Sequence, residues 1–131
     1  CGNTFRSSTI RAQDMVYSGR LSLSQDVHSY LITSLSQSDA AKEILVVEED
    51  SYACSWPGNP LNCYMHVAIY ESEFQNRLAL YSIPPVVVSG TAYVQRGLFV
   101  FHSADGTSRF MLSRLHGMPN MATEYYLTTL Q

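Results

Sequence analysis

Few residues in this chain have the type and spacing that catalysis needs. His102-Ser103-Ala104-Asp105 puts a histidine, a hydroxyl and a carboxylate within four positions. A nucleophilic triad needs those groups to converge beside an oxyanion hole, whereas neighbours on a strand point to opposite faces. The run reads as a hairpin tip. Glu48-Glu49-Asp50 is the one acidic cluster. Paired carboxylates can share acid and base work, but at the end of an apolar block they read as a solvated strand terminus. His28 lies off the nearest apolar stripe and His116 precedes Gly117 in a loop. There is no Gly-x-Gly-x-x-Gly, no phosphate loop, no Gly-x-Ser-x-Gly and no paired metal-binding histidines. The expectation is a binder, not an enzyme.

The cysteines carry the other chemistry. Cys54 and Cys63 enclose Ser55-Trp56-Pro57-Gly58-Asn59-Pro60-Leu61-Asn62, a segment of turn formers that must fold back on itself. A disulfide there would staple a loop between two strands and contribute roughly 2.5 to 3 kcal/mol in the chain-entropy model, and such bonds persist in oxidising compartments. The competing reading is a metal held by Cys54, Cys63 and His66 with His102 or His116 as fourth ligand. Its spacing is poor, because structural zinc sites place their cysteines two to four residues apart. Trp56 stands at the loop tip, either as a group that stacks on a partner or a sugar, or as a ring folded over the bridge.

Cys1 stands apart from that pair. The start Cys1-Gly2-Asn3-Thr4 resembles a mature bacterial lipoprotein. That resemblance implies a cleaved signal peptide, a diacylglycerol on the Cys1 sulfur and an acylated amine, so that the covalent lipid replaces any cofactor. One acyl chain holds only marginally and two or three hold firmly. Gly2, in place of aspartate, implies the periplasmic face of the outer membrane. The resemblance covers the first residue and the polar stretch behind it and implies nothing about fold. Residues 1–13 read as a tether, and 14–131 as one periplasmic domain.

The elements that must position these groups follow from composition and pattern. With 131 residues, 46% of them hydrophobic, the chain can bury a core as one domain. A net charge of −3 with a single lysine, Lys42, leaves no footprint for nucleic acid, and the longest apolar runs fall far short of the roughly 20 residues of a membrane helix. Ser22 to Ser38 carries Val27, Leu31 and Leu35 four apart behind a Ser22/Gln25 capping box, which predicts an amphipathic helix. Met15 to Leu23 alternates loosely as a short strand broken at Gly19. Glu43 to Glu48, Tyr64 to Glu71, Arg77 to Ile83 and Val86 to Gln95 read as strands, with Pro84-Pro85 ending one and Gly90 marking a bulge or a close approach. Asp105-Gly106 between two alternating runs, Gly97 to Ser103 and Thr107 to Leu115, signals a hairpin. Pro119 to Gln131 is either a short helix capped by Asn120 or, by the propensity of its Thr and Tyr residues, a strand. The predicted fold is α+β, an antiparallel sheet of five or six strands packed by one or two helices.

Function is then sought in surfaces. Nine tyrosines in 131 residues is high, and tyrosine is enriched at interfaces. Trp56, Tyr64, His66, Tyr70 and Arg96 are the candidate partner-binding residues, and Arg77, Arg109 and Arg114 also lie on or beside predicted strands. The pattern points to a lipid-anchored accessory or structural subunit of an envelope assembly, such as a secretion, pilus, flagellar or export machine. It would dock other envelope proteins and possess a sheet edge through which it can also pair with itself. The alternative is a glycan- or lipid-binding module built on Trp56 and its neighbouring tyrosines. Intact mass spectrometry of natively produced protein separates these premises. Two or three acyl chains on Cys1 and a gain of two protons on reduction are expected, and three free thiols with an unmodified Cys1 would remove the compartment argument.

Overall fold

The computed structural model describes residues 3–6, 8–10, 15–21, 30–50, 65–116 and 125–131, and among them every regular element is a strand. The N-terminal ribbon pairs β1 (Asn3–Arg6) with β2 (Val16–Arg20). A first four-stranded meander runs β3 (Tyr30–Ser38), β4 (Glu43–Asp50), β5 (Met65–Glu71) and β6 (Arg77–Ser82). A second runs β7 (Val86–Val88), β8 (Thr91–His102), β9 (Arg109–His116) and β10 (Tyr125–Leu130). All neighbours are antiparallel. The fold is therefore all-β, which overturns the expected α+β arrangement of one sheet covered by helices.

The helix predicted over Ser22 to Ser38 is where the reading failed. Its 22–29 portion lies outside the described residues, and the remainder is β3. A spacing of four is also a multiple of two, so Leu31 and Leu35 satisfy strand and helix periods alike. What separates the two is the rest of the segment, in which Ser, Thr and Gln alternate between exposed and half-buried positions. A register shift between Ile32 and Ser34 sets Leu31 opposite Glu49 but Leu35 opposite Val46. Among the described residues of this segment, Ile32 packs against the core.

β4 and β5 are buried on both faces, as a strand rich in Ile, Val and Leu can be when layers cover both sides. On one face Leu45, Val47, Met65, Val67 and Ile69 meet Val100 of β8 and Met111 of β9, forming the core between the two meanders. On the other, Ile44, Val46, Ala68 and Tyr70 pack with Leu21, which follows β2. The alternation read in Tyr64 to Glu71 holds in β5, with the difference that neither face is left to solvent.

Turn chemistry sets the hairpins. Ser89 and Gly90, with φ of 50° and 81°, form a two-residue turn between β7 and β8, the left-handed pair that matches strand twist. Gly90 thus marks a turn and not a bulge. At the β8–β9 tip, Asp105 Oδ1 accepts from Ser103 Oγ at 2.6 Å and from Thr107 N and Oγ1 at 3.1 and 2.9 Å. These bonds hold its carboxyl down to about 2. Gly106 (φ 72°) leaves room for the neighbouring tip, since a Cβ there would lie 2.7 Å from Ala41 N in the β3–β4 turn. The hairpins β3–β4 and β8–β9 are stacked tip against tip.

Two ion pairs lock the meanders together. Arg109 Nε and Nη2 each donate to Glu43 at 2.8 Å, and Arg96 donates to Glu49 through Nε at 3.1 Å and Nη2 at 2.8 Å. Bidentate pairing of this kind fixes orientation as well as charge. Behind them, Ser113 Oγ donates to Gln95 Oε1 (2.6 Å) and Gln95 Nε2 to Pro84 O (2.8 Å), tying β9, β8 and the β6–β7 connection. The acidic run read as a solvated terminus is corrected here. Glu48 and Glu49 are buried, Glu49 held by Arg96 and Glu48 by the Tyr70 hydroxyl, which donates to Oε1 at 2.7 Å.

The sheet-on-sheet core sets the stability. Leu45→Ala, at a fully buried position, is expected to cost about 2 to 5 kcal/mol through lost burial and a residual cavity. Leu35→Ala, at a position half exposed, should stay within about 0.5 kcal/mol of the parent. Urea midpoints of the two variants check the contrast.

Candidate functional site

The described residues bring a serine, a histidine and a glutamate together in a way their sequence positions hide. Ser36 of β3 lies 3.1 Å from Nδ1 of His102 on β8, and Nε2 of the same ring faces Glu43 Oε2 of β4 at 3.8 Å. The inventory matches a hydrolytic triad, but the geometry does not. Glu43 is already committed to Arg109 by two bonds and stands beyond hydrogen-bond reach of the imidazole. His102 has a side chain only 4% exposed, so its ring cannot hand a proton to a bound substrate. Its Nε2 has no hydrogen-bond partner among the described residues. Ser103 and Asp105, the other members of the run singled out in the sequence, bond to each other in the turn.

Electrostatically this cluster favours one state. Burial pushes the His102 imidazole below its ordinary range; Glu43 pulls it up and Arg109 pushes it down again. The Arg109 hydrogen bonds hold Glu43 below the usual carboxylate range against the opposing effect of burial. At neutral pH the arrangement is a neutral ring beside a closed ion pair, a structural seam where β3, β4, β8 and β9 meet.

Of the residues singled out from sequence, Cys1 for lipidation, Cys54 and Cys63 for a disulfide, and Trp56 and Tyr64 for binding lie outside the described residues. His66 and Tyr70 share a face of β5, with His66 opposite Glu48 in register. Tyr70 is wholly buried. Burial, and then its bond to the Glu48 carboxylate, holds the phenol protonated, so it is a core residue in place of a docking one. Arg96, on β8, is spent on Glu49. The three described candidates do not form one surface: His66 and Tyr70 belong to the first meander, and Arg96 to the second.

The surface that does form is the outer face of β8, β9 and β10. Register sets Phe99 beside Leu112 and Leu112 beside Leu127, and in the next row Phe101 beside Phe110 and Phe110 beside Thr129. Phe101 and Phe110 stack with ring centroids 5.4 Å apart. Phe99 is 60% exposed and Leu127 63%, with Phe101 and Tyr125 also open. Tyr125 pairs with Arg114, whose side chain follows Phe110 and Leu112 on the same face of β9. Soluble domains rarely leave contiguous apolar area of this kind uncovered unless it binds something.

These residues were missed because the sequence pattern was read for one buried face. The signal was available: in 99–102 and 110–113 both parities carry large apolar side chains, and only one parity can face a single core. No known protein family, curated protein or solved structure matches the chain. Among the described residues no group of three or more His, Cys, Asp or Glu is placed to hold a metal.

The seam predicts an acid-sensitive stability. Below the ordinary histidine value near 6.5 the unfolded chain takes up a proton that folded His102 resists, so stability is full above that pH and declines as pH falls toward the folded value. Glu43 adds a second loss further down, in the carboxylate range. Urea midpoints measured from pH 7 to pH 5 should fall for the parent and fall less steeply for His102→Gln.

Proposed function

We propose that this protein is a non-catalytic docking module, an accessory or structural subunit of an envelope assembly, which binds a partner protein through the outer face of β8–β9–β10. One observation carries the reading. Exposed Phe99, Phe101 and Leu127, with half-buried Phe110 and Leu112 between them, form a contiguous apolar face on strands whose opposite side is the packed core. Aromatic anchors held on a rigid sheet have little conformational entropy left to lose, which is the condition for a flat surface to bind tightly. Arg114, beside Tyr125 at the margin of the face, supplies a guanidinium that favours a carboxylate at the rim of the partner's patch.

In this proposal location and specificity are separate. The sheet face selects the partner, and whatever places the domain in the envelope acts apart from that face. The burial of His102 and the commitment of Glu43 and Glu49 to arginines support a role without chemistry, because the polar groups nearest to a catalytic set are spent on holding the sheets together.

Photo-crosslinking from position 99 in cells, followed by reconstitution with the captured protein, tests it. Phe99→Asp and Phe101→Asp should each weaken the reconstituted complex at least about tenfold, or 1.4 kcal/mol. Leu35→Asp, on β3, should leave it unchanged. Equal crosslinking from positions 35 and 99, or full affinity in both Phe variants, would overturn the proposal.

A further inference from the structure

We infer that Arg114 selects the partner, whose docking segment is an extended stretch with large apolar side chains at alternate positions and, one step further in the same alternation, an aspartate or glutamate that closes on the Arg114 guanidinium. The inference rests on the docking reading and adds to it the chemistry of the partner.

Register extends the outer face of β8, β9 and β10 by one row beyond its apolar part. Phe101, Phe110 and Thr129 form one row, Phe99, Leu112 and Leu127 the next, and then Arg114 stands between Arg96 and Tyr125. Two like charges directly opposite each other disfavour a strand pair unless they are compensated. Arg96 is compensated, because it turns to Glu49. Arg114 is half-buried, and among the described residues its side chain has no ion pair and no hydrogen bond. The other basic side chains of the two meanders are accounted for. Arg109 closes on Glu43, Arg77 has interactions of its own, and Lys42 is exposed in the β3–β4 turn.

This leaves one guanidinium without a countercharge at the end of an apolar patch. Side chains two apart on a strand are about 7 Å apart, so a partner that covers the Phe99–Leu112–Leu127 row also strips water from Arg114. A guanidinium cannot shed its charge in response. A wholly apolar or a basic segment would leave that charge desolvated and unpaired, and such mismatches are what interfaces select against. A carboxylate over Arg114 accepts a forked pair of hydrogen bonds, and the exposed Tyr125 beside it supplies a further donor. Packed sheets align within about 30°. An extended segment laid along β9 therefore sets its side chains i, i+2 and i+4 over the three rows in turn, two apolar anchors followed by the acid. The aromatic rows supply affinity and Arg114 supplies discrimination.

A library of random peptides displayed on phage, panned in parallel on the full chain and on Arg114→Gln, tests this. Peptides enriched on the parent should carry large apolar residues at i and i+2 and Asp or Glu at i+4. Those enriched on Arg114→Gln should keep the apolar pair and lose the acid, and Arg114→Lys should restore it. Arg114→Met serves as the neutral variant if Arg114→Gln melts early. In the best parent peptide, exchange of the acid for its amide should weaken binding at least about tenfold on the parent and leave it nearly unchanged on the neutral variant, which is the coupling a direct pair produces. Apolar peptides without an acid on the parent, or an acid retained on the neutral variant, overturn the inference and leave the docking reading standing. Parent peptides with no apolar alternation, or the same peptides enriched on Phe99→Asp, show that the docking reading itself has failed and overturn this inference with it.

Discussion

Strand β4 carries two glutamates six residues apart, on the same side as the Leu45 and Val47 that lie between them, and each is gripped by an arginine from the opposing meander. Apolar contact alone is non-directional and would tolerate sliding of one sheet over the other. The two forked pairs remove that freedom. Glu43 meets Arg109 near the hairpin tips and Glu49 meets Arg96 at the far end, so β8 and β9 have one register over β4. The position of Val100 and Met111 in the core, the abutment of Gly106 on Ala41, and the orientation of the outer face all follow from this registry. Such pairs contribute more to uniqueness than to net stability, because both glutamates had to leave water to form them.

The same clamp explains why Ser36, His102 and Glu43 are not arranged as a hydrolytic triad. A general base needs a free carboxylate or an accessible imidazole. Glu43 is closed by Arg109, and His102 is buried behind it with Ser36 on its other nitrogen. The seam is instead a place where the fold stores a dependence on protonation. With its inward surface used for registry, the second meander has only its outward surface left for recognition, and that is where the aromatic side chains lie.

Legibility in the sequence varied with the range of the interactions. Strands β4, β5 and β6 and the Asp105-Gly106 hairpin were readable because their signals are local: apolar alternation bounded by charges, prolines and a residue pair suited to a left-handed turn. The predicted helix failed because Leu31 and Leu35 are four apart, a distance common to both periods. Glu48 and Glu49 looked solvated because their partners, Tyr70 and Arg96, lie 22 and 47 positions away. Tyr70 and Arg96 were taken as surface residues for the same reason seen from the other side. The candidate face was passed over, although both parities of 99–102 and 110–113 are apolar, because an apolar residue on a strand reads as core until the number of covering layers is known.

By itself the sequence located several strands and the Asp105-Gly106 hairpin, since backbone propensity, proline and glycine act within a few residues, but it pointed to an α+β fold that the strands of the structure replace. It also set the net charge of −3. Only the tertiary structure decided which of two apolar parities on β8 and β9 is buried and which charges are neutralised. Those outcomes depend on the pairing of segments distant in the chain, and that pairing is made by long-range packing, which local pattern does not encode.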